Sequence, residues 1–124
     1  MAAVRYIVSN VEEALPFYRD ALGFNVDMHP APGFAMLSRG DLRLLLNTPG
    51  GGGGAGQPMP DGQMPAPGGW NRFQFEVEDI GATVDRLKQS GAKFRNEIVQ
   101  GNGGKQVLVE DPSGNPVEIF EPAR

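Results

Sequence analysis

The chain of 124 residues has no cysteine and a single histidine, His29. The first absence removes disulfides, thiol nucleophiles and thiolate metal sites together. The second leaves no way to build, within one chain, a two-histidine zinc site or a helical His-Glu-x-x-His arrangement. Basic charge is scarce too: 11 Lys and Arg against 15 Asp and Glu give a net charge of −4. No basic stripe follows a phosphate backbone, so nucleic acid is not an expected partner. No apolar run approaches membrane-spanning length, and residues 1–6 lack a charged segment leading into an apolar core. A cytoplasmic protein without membrane contact is the expectation.

What is present is a repeat. Val8-Ser9-Asn10-Val11 opens a helix-like run that stops at Gly23, and Val77-Glu78-Asp79-Ile80 opens another that stops at Gly91, at an offset of 69 positions. Asn10 and Asp79 are N-cap residues, with Glu13 placed to complete a capping box in the first module, and the glycines are helix stops. Val11, Leu15, Tyr18 and Leu22 recur at helical spacing, whereas Pro16 inside that pattern removes a backbone donor and predicts a bent or irregular helix. Alternation at Val4, Tyr6 and Val8, and again at Phe73, Phe75 and Val77, predicts a strand before each helix. Extended segments over residues 24–29, 34–37 and 42–47, then 93–99, 105–110 and 117–121, complete each half.

The fold class that follows is α+β: two tandem βαβββ modules, residues 1–48 and 70–124, with eight strands in cupped mixed sheets and helices over residues 11–22 and 80–90. Each half is too small to be stable alone, so a single structural domain is expected. A homodimer is expected too, because each module leaves a sheet face and edge for a partner to cover.

Residues 49–69 join the modules. This segment contains five consecutive glycines, Gly50 to Gly54, but no Gly-Lys-Ser/Thr follows and prolines prevent the helix that a phosphate loop must open. It reads either as a flexible linker or as a lid, the second because Met59 and Met64 are adaptable apolar side chains in an otherwise polar loop.

The repeated modules, with Phe17-Tyr18-Arg19-Asp20-Ala21-Leu22-Gly23-Phe24 in the first and Asp111-Pro112-Ser113-Gly114-Asn115-Pro116-Val117-Glu118 in the second, resemble the vicinal oxygen chelate superfamily. That superfamily includes glyoxalase I, extradiol dioxygenases and bleomycin-resistance proteins, so the resemblance implies a fold and leaves the reaction open. Its metal-using members draw ligands from the first and last strands of each module. Carried over by position, those sites are Ala3 and Arg72, seven residues before the helix caps, and Leu44 and Glu118 on the last strands. Only Glu118 is a metal donor, and Arg72 is a permanent cation. Neither a metal nor any other cofactor is therefore expected.

With Leu44 and Glu118 assigned to the concave face, alternation adds Leu42 and Leu46 beside the one and Phe120 beside the other, with Arg72 and Gln74 alongside. Phe34 and Met36 would close the side, giving a pocket apolar on one wall and polar on the other. Trp70 either anchors the linker or stacks on a planar ligand. His29 reads as a strand-end histidine or an added ligand contact. Arg72 and Glu118 read as an ion pair occupying the former metal position, as ligand contacts, or as an electrophile and general base. The leading functional reading is metal-free sequestration of a bulky amphipathic compound such as an antibiotic, with no residue assigned to catalysis. The alternative is an enzyme of the same superfamily with an atypical metal site or Glu118-based acid–base chemistry.

Overall fold

The computed structural model describes residues 2–51 and 54–124. In the first module β1 (Ala3–Ile7) leads into α1 (Val11–Leu15), a π-helical run over Pro16–Ala21, and then β2 (Asn25–Ala31), β3 (Phe34–Arg39) and β4 (Leu42–Asn47). In the second, β5 (Gln74–Glu76) and α2 (Ile80–Gln89) precede β6 (Lys93–Phe94), β7 (Val99–Gln100), β8 (Gly104–Glu110) and β9 (Pro116–Pro122). The first sheet has the order β1-β4-β3-β2, and the second has β5-β9-β8-β6 with β7 also paired to β8. In each, the first strand runs parallel to the last and the remaining pairs are antiparallel. Both sheets are therefore mixed, and the α+β class with two βαβββ modules holds.

The helix signals act as their chemistry dictates. Asn10 Oδ1 accepts from the Glu13 N–H at 3.0 Å and Asp79 Oδ1 from the Ala82 N–H at 3.0 Å, while Gly23 and Gly91 take φ of 77° and 86°, which an L side chain rarely adopts. The return bond that would complete the capping box, from the Glu13 carboxylate, is absent among the described residues. Pro16 has the predicted effect. It cannot donate to the carbonyl four residues earlier, and the ladder widens beyond it, with the Leu22 N–H reaching the Phe17 carbonyl at 3.1 Å.

Two expectations need correction. The segment at 93–99 is two short strands, giving nine strands among the described residues where eight were expected. Arg95 and Asn96 interrupt it by turning their side chains to Glu110 and to the Leu108 N–H. Pro30 does not end β2, which continues to Ala31 through a register shift that leaves the proline without a ladder bond to supply. In the joining segment Gly54–Gly56 form a 3-10 turn and the Gly50 N–H donates to the Gly56 carbonyl at 2.6 Å. Gly52 and Gly53 of the five-glycine run lie outside the described residues.

One core serves both modules. Tyr6, Phe24, Phe73 and Phe75 pack ring against ring across the module boundary, with centroids 5.4 to 6.1 Å apart. The Tyr6 hydroxyl donates to the Pro116 carbonyl at 2.7 Å and accepts from the Phe73 N–H at 3.1 Å. Asp111, buried in the Asp-Pro-Ser-Gly-Asn turn, accepts from the Tyr18 hydroxyl at 2.7 Å and from Asn115 Nδ2 at 2.9 Å, and Asn115 in turn donates to the Ile7 carbonyl at 2.7 Å. Buried polar groups at the junction are thus paired across it, which fixes how the modules meet.

Candidate functional site

Each sheet has one face in the shared core and one turned away from it. The ladders assign the residues. Leu44 lies beside Val4 and Leu37, and Leu46 beside Tyr6 and Ala35; all of these except Val4 are buried, and Val4 packs against the same cluster. Leu42, paired with Arg39, shares their face and also packs against the core. The expectation that Leu42, Leu44 and Leu46 line the concave face is therefore wrong. These three side chains hold the sheet to the helices.

The open face of the first sheet instead carries Arg5, Leu45 and Met36 in one row, with Met28 beyond Met36 on β2, and Arg43 beside Ser38 in the next row. Phe34 is on this face beside Asn47. The Val8 N–H meets the Asn47 carbonyl, as the Val77 N–H meets the Phe120 carbonyl. Since Arg5 pairs with Leu45 as Gln74 pairs with Glu118, the counterpart of Glu118 is Leu45. The turns caused the slip. Two residues separate the Arg39–Leu42 pair, but five separate the Glu110–Pro116 pair. Setting Ser38-Arg39-Gly40-Asp41 against Pro112-Ser113-Gly114-Asn115, the residues before each last strand and the basis on which Leu44 is assigned from sequence, therefore places the first module one position off, and one position reverses every side chain.

In the second sheet the expected parity holds. Gln74, Glu118 and Leu108 form one row of the open face, with Glu76, Phe120 and Gln106 in the next. Arg72 reaches the same carboxylate from just before β5: Nε and Nη2 both donate to Glu118 Oε1, at 3.1 and 2.8 Å, and Gln74 Nε2 donates to Oε2 at 2.8 Å. Glu118 is 9% exposed, yet both its oxygens have partners, so its charge is compensated where it sits.

The remaining proposed residues are spread out. Trp70 is 73% exposed, with the Arg95 guanidinium 5.1 Å above its ring and its carbonyl accepting from Arg72 Nη1 at 3.4 Å. Met59 and Met64 are exposed on the joining segment. His29 lies half-buried on β2, at the sheet edge away from β1. Arg5, Arg43, Leu45 and Leu108 were missed from sequence. The alternation of the strands contained that information, but only the pairing register shows which parity faces out.

The positions where the fold family places metal donors can now be tested. They hold Ala3, Arg72, Leu45 and Glu118. Two of these have no donor atom, the third is a guanidinium, and the fourth is saturated by that guanidinium and an amide. Among the described residues no three His, Asp or Glu side chains converge. These residues do not fit a divalent ion. A separate cleft of about 740 Å³ lies on the helix side of the molecule, between the first helix, the end of α2 and the turn at Asp111, bordered by Phe17, Arg86 and Lys93 among others.

The comparisons agree with this architecture. A family model described as the Glyoxalase/Bleomycin resistance protein/Dioxygenase superfamily matches residues 1–119, and the chain belongs to that superfamily. Among curated relatives, a probable chloroplastic lactoylglutathione lyase of Arabidopsis thaliana is 36% identical over 55 residues, which is 43% of this chain but only 16% of that protein. A crystal structure of lactoylglutathione lyase from Agrobacterium tumefaciens superposes with a TM-score of 0.75 at 22% identity, covering 98% of this chain and 92% of that one. TnmS3, an antibiotic binding protein from Streptomyces sp. CB03234, gives 0.73 at 23% identity, covering 98% and 93%. At these identities the two structures establish the shared fold. No helix among the described residues is long and apolar enough to cross a membrane.

Proposed function

We propose that this protein binds a bulky amphipathic small molecule, of the antibiotic-sequestering kind, against the open sheet faces and releases it chemically unchanged, without a divalent ion. The observation that carries the reading is the state of Glu118. At the family's metal position a guanidinium already supplies the positive charge, and Gln74 takes the other carboxylate oxygen. Beside this fixed polar group stand Phe120 and Leu108, and the open face of the first sheet carries Leu45, Met36 and Phe34, together the mixture of apolar surface and few orienting groups that small-molecule sites use. The similarity to an antibiotic binding protein fits the same reading.

The faces are open in a single chain, so the proposal includes a homodimer in which a second copy covers them and completes the cavity. Residues 49–69, with Met59 and Met64, would then act as a lid over it. The relation to lactoylglutathione lyases supports the competing reading of an enzyme. The two separate experimentally. A compound retained by the purified protein is expected to be recovered with its mass unchanged, and zinc, nickel, iron(II) or manganese should leave the melting temperature where it was. Conversion of the compound, abolished by Glu118→Gln, or a clear metal-induced rise in melting temperature, abolished by Glu118→Ala, would overturn the proposal.

A further inference from the structure

The charge on the two open faces is uneven in a way that selects a ligand. The chain as a whole is acidic at −4. Yet the ladder-paired residues on the open face of the first sheet include two arginines, Arg5 and Arg43, and no carboxylate; the other polar groups there are Asn25, Ser38 and Asn47. On the second sheet Arg72 is cancelled by Glu118 and Arg95 by Glu110, the latter pair at 2.8 Å. Glu76, exposed in the row of Phe120, is the one carboxylate of that face without a cation against it among the described residues. The strands of the first sheet carry one carboxylate, Asp27, exposed in the irregularity between Val26 and Met28 on the edge strand β2, against Arg5 and Arg43, so the uncompensated charge of the first sheet's face is positive.

The two arginines are also held differently. Arg5 Nη1 donates to Asn47 Oδ1 at 2.6 Å, and Asn47 is 3% exposed, so one edge of the guanidinium is anchored while its other N–H groups have no acceptor among the described residues. Arg43 is half-buried and makes no hydrogen bond or ion pair among the described residues. Its guanidinium therefore keeps its charge unneutralised and its donors available to an anion that reaches it. The strand register puts Arg43 on the strand next to Arg5 and two residues along, on the order of 8 Å between backbones. Two flexible side chains at that spacing can grip one carboxylate or sulfonate from both sides. Beside them, Leu45, Met36, Met28 and Phe34 offer apolar contact for the body attached to it.

We infer that the compound bound on this face is an anionic amphiphile, an aromatic or aliphatic body carrying a carboxylate or sulfonate, with Arg5 and Arg43 as the residues that recognise its charge. This rests on the proposed function, since it names the ligand class of the same site. The test uses three probes of one shape and different charge: naphthoate, naphthylmethanol and naphthylmethylammonium, titrated calorimetrically against the full chain. Naphthoate should bind at least about tenfold more tightly than the ammonium probe, and this advantage should shrink by about tenfold in the Arg5→Gln/Arg43→Gln variant, whose fold is checked by circular dichroism. Lys93→Gln, which alters the helix-side cleft, should leave the preference intact.

If the ammonium or alcohol probe binds as well as naphthoate, the binding site stands and the anionic assignment falls. The assignment also falls if Lys93→Gln abolishes the preference, or if the double variant loosens a dimer without changing probe affinity, because the arginines would then belong to another site or to a contact between copies. If none of the three probes binds, the small-molecule reading itself has failed.

Discussion

Leu44 and Leu45 are neighbours of identical composition, and the structure gives them opposite fates. Leu44 is fully buried between Val4 and Leu37. Truncation to alanine removes apolar surface worth about 2.4 kcal/mol at ~0.8 kcal/mol per methylene equivalent, and the residual cavity raises the expected loss to about 3 kcal/mol. Leu45 points to the open face and is half-buried, so its truncation should cost about 1 kcal/mol and leave no enclosed cavity. Urea unfolding followed by circular dichroism reads the difference directly: with a slope of about 1–3 kcal/mol per molar, Leu44→Ala should lower the midpoint by about 1–3 M and Leu45→Ala by about a third as much, ~0.3–1 M. In a dimer that covers the open face, the cost of Leu45→Ala should grow with protein concentration while that of Leu44→Ala stays fixed. Ligand binding should show the reverse order, with Leu45→Ala the more damaging. Equal stability losses, or a larger loss from Leu45→Ala at low concentration, would refute the face assignment and the site built on it.

Two further predictions concern the junction between modules. Asp111→Ala strands four donors at once, the Tyr18 hydroxyl, the Ser113 and Asn115 N–H groups and Asn115 Nδ2. It should cost more than about 3 kcal/mol by chemical denaturation, whereas Tyr18→Phe, which removes one of these bonds, should cost about 1–2 kcal/mol; a smaller loss from the aspartate would contradict the network. Stability should also fall in alkali. Burial, reinforced by the Asp111 charge and opposed by the Phe73 N–H and the Arg72 charge, pushes the Tyr6 hydroxyl up to about 12, and burial raises Tyr18 in the same direction. The unfolded chain releases these protons from about pH 10 while the folded chain keeps them, so the stabilisation is complete below that pH and is lost as pH rises toward 12. The loss for Tyr6 is about 1.4 kcal/mol per pH unit at most, and Tyr6→Phe should flatten the measured slope; a slope unchanged by that variant would rule this account out.

The elements were legible in the sequence because their signals are local. An N-cap, a helical apolar period and a glycine stop each act within one or two turns, and both helices formed where those signals placed them. Pro16 even announced the irregular helix, since a missing N–H has one local consequence. The faces of the sheets were legible only where a residue declared itself. Arg72, Gln74 and Glu118 are costly to bury in an apolar core, so their parity was right, and Phe120 followed them. The run Leu42-Arg43-Leu44-Leu45-Leu46 has leucines of both parities, and its single arginine was the one residue that marked the open side.

That arginine also explains why the open face of the first sheet was misassigned. Arg43 could have set the register, because a guanidinium at the position next to Leu44 excludes the core more strongly than a matched turn places a strand. Weighting polarity above turn alignment makes Leu45 the counterpart of Glu118 and brings Arg5 and Arg43 into view together. The metal question did not depend on the correction, since a leucine stands at the first module's last-strand position in either register. The ligand question did. With Leu42, Leu44 and Leu46 the first wall is wholly apolar, and with Arg5, Arg43 and Leu45 it carries two positive charges, so one residue of register separates a site for a neutral hydrophobe from a site for an anion.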